Sequence, residues 1–157
     1  MSQIPRTLAQ RIRGELRDLE RVVHRAMQIW EKSAQFPEET AYVEAVALNL
    51  HSFYSGVERV FELIARNIDN WHPQGEAWHR ELLARMAESL PQARPAVISS
   101  QNAQLLDEFR KFRHLIRNVY VFHLDPAKMK PLIQQLPTLW SGLHAELAAF
   151  ADFLEQL

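Results

Sequence analysis

The sequence predicts an all-α fold, an up-down bundle of about five helices. Three features carry that expectation. Residues that favour helices (Leu, Ala, Glu, Arg, Gln) dominate, and only four Gly occur in 157 residues. Apolar residues recur at spacings of three and four over long stretches, the period of one helical face. Clusters containing Pro separate those stretches.

The first helix is expected from about Thr7 to Ala34, with Leu8, Ile12, Leu16, Leu19, Val23, Met27 and Trp30 on one face. Thr7 is its candidate N-cap, and Phe36-Pro37 ends it. Gly14 lies inside and weakens it by roughly 1 kcal/mol relative to Ala. A second helix, about Glu38 to Ile68, carries Tyr42, Val46, Leu50, Phe53, Val57, Val60, Phe61 and Ile64. Pro37 followed by two glutamates suits its start, where carboxylates favour the helix dipole.

Asp69 to Gly75 is a turn cluster, and a short third helix follows from about Glu76 to Glu88. Leu90-Pro91-Gln92-Ala93-Arg94-Pro95 reads as a connecting loop. Ser99 or Ser100 then caps a fourth helix that reaches about Phe122, with Leu105, Phe109, Phe112, Ile116 and Val119 toward the core. Asp125-Pro126 pairs an N-cap with Pro at the first helical position and opens the next helix. Pro131 and Pro137 are expected to interrupt it before a final amphipathic stretch from about Thr138 to Leu157. No internal repeat or low-complexity segment is visible, so residues 1–157 read as a single helical domain.

Composition narrows the function classes. The net charge of −1 supplies no global field toward nucleic acid, so such a contact needs a local patch. The absence of cysteine removes disulfides, thiolate catalysis and Cys-based zinc sites. No apolar run approaches eighteen residues and the N-terminus has no signal-like core, which reads as a soluble, cytoplasmic protein with no membrane partner. There is no HExxH or HxxxH, and the Glu76/His79 pair has no second copy, so neither a metal nor another cofactor is expected.

The chemistry concentrates in LDEFRKFRHLIRNVYVFHLDP. Arg110, Arg113 with His114, and Arg117 recur at spacings of three and four on a face beside the core stripe, and Tyr120 extends it. Asn118 follows Arg117, and His123 lies six positions beyond Arg117. Histidine suits proton transfer near neutral pH, and the arginine fork suits phosphate. Internal RNA cleavage needs those functions: a base for the 2′-hydroxyl, an acid for the leaving 5′-oxygen, and a cation for the phosphate. Six positions rotate a straight α-helix by roughly 240°, so Arg117 and His123 need a bend near Asp125-Pro126 or a second subunit. The structural alternative pairs these arginines with Asp107, Glu108 and Glu58, with His123 capping the helix C-terminus. Trp71-His72 and Trp78-His79 read as packing near loops; His51 and Tyr54 read as structural, although they can face the fourth helix.

At these residues the chain resembles the HEPN superfamily, and within it the HepT-like ribonuclease toxins of bacterial toxin–antitoxin pairs. The shared signature is Arg, a polar residue, and His a few positions on, matched by Arg117, Asn118 and His123. YSGVERVFELIARNID, GEAWHRELLARMA and LLDEFRKFRHLIRNVYVFHLDPAKMKPLI extend the similarity over roughly residues 40–135. The resemblance implies a five-helix bundle, a homodimer with its cleft at the symmetry axis, and metal-independent endoribonuclease activity on RNA. It also implies a minimal nucleotidyltransferase (MNT-like) antitoxin as partner. Arg117 would then contact the scissile phosphate, Asn118 orient it, and His123 act as general acid or base, with Arg113-His114 as the fallback pair and Arg110 and Tyr120 as substrate contacts. The family pattern continues His-x-Tyr, the Tyr being the antitoxin's target, whereas Leu124-Asp125 follow His123 here and Tyr120 is the substitute candidate. Two alternatives stand beside the ribonuclease: a non-catalytic module that docks or regulates a nucleotidyltransferase, and a plain nucleotide-binding bundle.

Overall fold

The computed structural model describes residues 3–120 and 123–157. They form five helices, with no strand among the described residues: α1 (Gln3–Gln35), α2 (Thr40–Asn67), α3 (Trp78–Met86), α4 (Ser100–Arg117) and α5 (Pro126–Glu155). The all-α bundle is the expected class. One continuous apolar cluster draws on all five helices and on Val97 and Ile98 of the α3–α4 loop.

The expected apolar faces are largely the buried ones. Leu8, Ile12, Leu16, Leu19 and Val23 of α1 are buried, and Val46, Leu50, Phe53, Val57, Val60, Phe61 and Ile64 of α2 face them. Gly56 brings these two helices together. A Cβ there would lie 2.7 Å from Leu19 Cδ2, closer than carbon atoms approach without a shift. α1 also packs along α5, while α4 bridges α2 and α5 and α3 sits against α2 and α4.

Several boundaries differ from the expectation, each for a local reason. α1 begins at Gln3, so Thr7 lies inside it and is not the cap. Pro5 sits in the first turn, where backbone N–H groups have no helical acceptor, and so removes no hydrogen bond. α2 begins at Thr40 rather than Glu38, because Phe36 to Glu39 close a turn with Glu39 N–H bonded to the Phe36 carbonyl at 2.9 Å.

α4 is capped by Ser99, whose hydroxyl accepts from Asn102 N–H at 3.1 Å, as expected. It ends at Arg117, five residues short of Phe122, which lies outside the described residues. Asn118 is the C-cap, and its side-chain amide donates to the His114 carbonyl at 2.8 Å. Its core stripe is Leu106, Phe109 and Phe112; Leu105 and Ile116 are partly buried and Val119 is exposed.

α5 runs unbroken through Pro131 and Pro137, contrary to the expected interruption. An interior proline costs about 3 kcal/mol relative to Ala. Both prolines face solvent, while Leu132, Ile133, Leu136, Leu139 and Trp140 between and after them are buried. Each such side chain contributes roughly 1.5–3 kcal/mol on burial, so packing outweighs the prolines. Asp125 caps the helix by accepting from Ala127 N–H at 3.0 Å.

The α2–α3 and α3–α4 connections are pinned by a buried ion cluster. Arg94 is 3% exposed and donates to both Asp69 carboxylate oxygens, at 2.7 and 2.8 Å. Its remaining N–H groups reach the carbonyls of Glu88, Pro95 and Arg85. Arg85 adds a further bond to Asp69 at 2.9 Å and lies over the Trp71 ring. The turn ahead of α3 uses Gly75 at φ 96°, a left-handed conformation that only glycine adopts at little cost. Together these fix where α3 starts relative to α2 and α4. No helix among the described residues is long and apolar enough to cross a membrane.

Candidate functional site

Between the start of α3 and the outer face of α4 lies an open cleft of about 320 Å³. Arg110, Arg113, His114 and Arg117 form one wall; Glu76, Ala77, His79 and Arg80 form the other. The α4 wall follows from spacing, since positions 110, 113, 114 and 117 share one side of a helix. The α3 wall follows from the Asp69–Arg94 pin and the Gly75 turn. Four guanidiniums against the single carboxylate of Glu76 make this a local patch suited to an anion such as phosphate, in a chain whose net charge is −1.

The arginines differ in how far they are committed. Arg110 is paired with Asp107 at 2.6 Å on its own helix. Burial pushes the Asp107 carboxyl up, but Arg110 and then Lys111 outweigh it and hold the group below the usual carboxylate range. Arg113 donates to the Ser55 hydroxyl of α2 at 3.0 Å, which steadies it without neutralising it. The side chain of Arg117, exposed at the end of α4, makes no hydrogen bond or ion pair among the described residues. The structural alternative therefore holds for Arg110 with Asp107 and fails for Arg113 and Arg117.

Beneath the wall, α2 supplies groups that sense these charges. His51 is half-buried, and its pKa is lowered from the ordinary value by burial first and then by Arg113 and Arg117. It therefore faces α4. Tyr54 is wholly buried and its hydroxyl has no hydrogen-bond partner among the described residues. Burial, then the nearby Glu58 carboxylate, pushes its hydroxyl far above the ordinary tyrosine value.

Glu58 is only 4% exposed and meets His79 Nδ1 at 2.7 Å. It thus serves His79, not the arginines expected to pair with it. His79 lies in the first turn of α3, stacked on Trp78 with ring centroids 3.7 Å apart, and borders the cleft. Reading Trp78-His79 as loop packing missed it. The sequence did contain one signal. Glu58 stands four residues after Tyr54 and three before Phe61, on the buried face of α2, where a carboxylate requires a partner.

The remaining expected site residues lie elsewhere. Asn118 closes the helix end through its bond to the His114 carbonyl. It takes the capping role expected of His123 in the structural alternative. Tyr120 is 72% exposed beyond the helix, and His123 N–H bonds the Tyr120 carbonyl at 2.9 Å with the two rings 6.3 Å apart. Asn118, Tyr120 and His123 are not among the residues lining the cleft. Because α4 stops at Arg117, the straight-helix rotation does not govern how Arg117 and His123 relate. Among the described residues no group of three or more His, Asp or Glu is placed to hold a metal ion.

A family model described as HepT-like protein matches residues 45–154, from the first turns of α2 to the end of α5. The matched span holds both walls of the cleft and the Glu58–His79 pair, and leaves out α1. No curated protein and no solved structure matches the chain. With the all-α bundle and most of its length accounted for, the chain belongs to the HepT-like family of the HEPN superfamily.

Proposed function

We propose that this protein is the toxin of a toxin–antitoxin pair, a metal-independent endoribonuclease acting in the Arg113–His114–Arg117 cleft. The observation that carries the reading is the convergence of unneutralised guanidiniums and imidazoles on one cleft. The reaction joins O2′ to phosphorus and breaks the P–O5′ bond. A base takes the 2′-hydroxyl proton, an acid protonates O5′, and Arg113 and Arg117 steady the charge on the phosphoryl oxygens. His114 stands on the same wall as these arginines and is the α4 imidazole for proton transfer; Arg110 contributes at the edge of the substrate path. His123, just past the helix end, joins the cleft in this reading through a homodimer or a bound RNA, with Asn118 holding the helix end and Tyr120 the nearest tyrosine for an MNT-like antitoxin to modify.

Purified protein is expected to cut RNA in EDTA and leave 2′,3′-cyclic phosphate and 5′-hydroxyl ends. Arg117→Ala and His114→Ala should each lower the rate about 100-fold or more. Absence of cleavage by the wild type, together with a stable complex with a nucleotidyltransferase, would assign the chain to a docking role instead.

A further inference from the structure

On the strength of that reading, we propose that His79, oriented by Glu58, is a second catalytic imidazole facing the α4 wall across the cleft. With the Glu58 carboxylate as acceptor, the 2.7 Å contact takes its N–H from His79 Nδ1. That leaves Nε2, on the other side of the ring, as the nitrogen available to the cleft that His79 lines. Two further contacts hold the ring: the stack on Trp78, and the anchoring of Glu58 among buried α2 side chains. A carboxylate buried behind a histidine that opens onto a cationic cleft is the arrangement that fixes an imidazole tautomer and stabilises the imidazolium once formed.

The charges facing His79 come from each neighbouring element. α2 gives Glu58, α4 gives Arg110, Arg113 and Arg117, and its own segment gives Glu76 and Arg80. The guanidiniums draw the phosphate between the walls, and Glu58 offsets them at the imidazole. In the proposed step His79 Nε2 takes the proton of the 2′-hydroxyl as O2′ bonds phosphorus. The P–O5′ bond breaks, and O5′ receives its proton from the imidazolium of His114 on the opposite wall. Glu58 touches no substrate; it is a positioning residue.

The test is single-turnover cleavage of a short RNA across pH in EDTA, with thermal melting alongside. His79→Gln is the informative variant, because its amide can still donate to Glu58 and keep the fold. It should melt near the wild type, cleave about 100-fold more slowly, and lose one limb of the pH–rate profile. His79→Ala should regain activity when imidazole is added. Glu58→Gln should slow the maximal single-turnover rate with the half-saturating protein concentration little changed. Activity of His79→Gln within threefold of the wild type, while Arg117→Ala is inactive, overturns the dyad and leaves the ribonuclease standing. So does slow cleavage by His79→Gln with both limbs of the profile intact and no rescue of His79→Ala by imidazole. An inactive wild type overturns both.

Discussion

Arg94→Met and Arg85→Met, compared side by side, test whether the buried ion cluster sets the position of α3. Both arginines bond Asp69, whose side chain is fully buried, but they differ in exposure. The Arg94 side chain is 0% exposed and that of Arg85 is 25%. Removing one member of a buried charge pair typically costs 3–5 kcal/mol, because it strands the other charge. Arg94→Met also frees three carbonyls, of Glu88, Pro95 and Arg85, from their donor. Arg85 would still bond Asp69 at 2.9 Å, which places the loss at the low end, about 3 kcal/mol. For a chain of this length that corresponds to a fall in Tm of roughly 6–12 °C. Arg85→Met leaves Asp69 its two bonds from Arg94 and loses a partner that is partly open to solvent, for about 1 kcal/mol. Urea titration followed by circular dichroism gives both values. Equal losses, or a loss below about 1 kcal/mol for Arg94→Met, would refute the reasoning. Cleavage should fall in Arg94→Met even well below its Tm, since His79 rides on α3.

Tyr54→Phe should leave stability unchanged or raise it by about 1 kcal/mol, because the buried hydroxyl it removes has no partner; a clear loss in urea titration would show that the hydroxyl is bonded after all. His51 titrates below its ordinary value in the folded protein, so the unfolded chain binds the extra proton first as pH falls. Stability should therefore drop from about pH 6.5 downward through the depressed folded value, and His51→Gln should flatten that slope. Arg117→Ala should move the His51 titration upward in NMR, since Arg117 is one of the charges holding it down. Pro137→Ala should stabilise the protein by about 1–2 kcal/mol, less than the full helix-interior penalty because proline also restricts the unfolded chain; thermal melting that shows no gain would mean the helix is shaped around Pro137.

The fold was legible because burial and helical period coincide. Leu8 to Val23 in α1 and Val46 to Ile64 in α2 were readable from spacing alone, and Ser99 and Asp125 announced their helices through capping chemistry. What spacing hid was tertiary. Pro131 and Pro137 argue locally for a break, yet the buried run from Leu132 to Trp140 keeps α5 whole. Spacing alone extends α4 too far because Val119 and Tyr120 continue an apolar pattern that the chain does not use as α-helix. Asn118 ends it there by bonding the His114 carbonyl with its own amide.

The site divides along the same line. Arg110, Arg113, His114 and Arg117 were found because one helix carries them, and a periodic pattern needs no partner to be seen. His79 was missed because its role depends on Glu58, 21 residues earlier, and on a third element that brings the two together. Nothing near His79 in the sequence distinguishes it from a packing histidine; the distinguishing fact is the carboxylate on the buried face of α2. A carboxylate at a core position of a helix signals a buried cation or imidazole elsewhere in the chain. In a bundle whose chemistry lies between helices, the residue that answers it is the one to test. Here that is His79, and the contrast between His79→Gln and Arg117→Ala separates the two walls of the cleft.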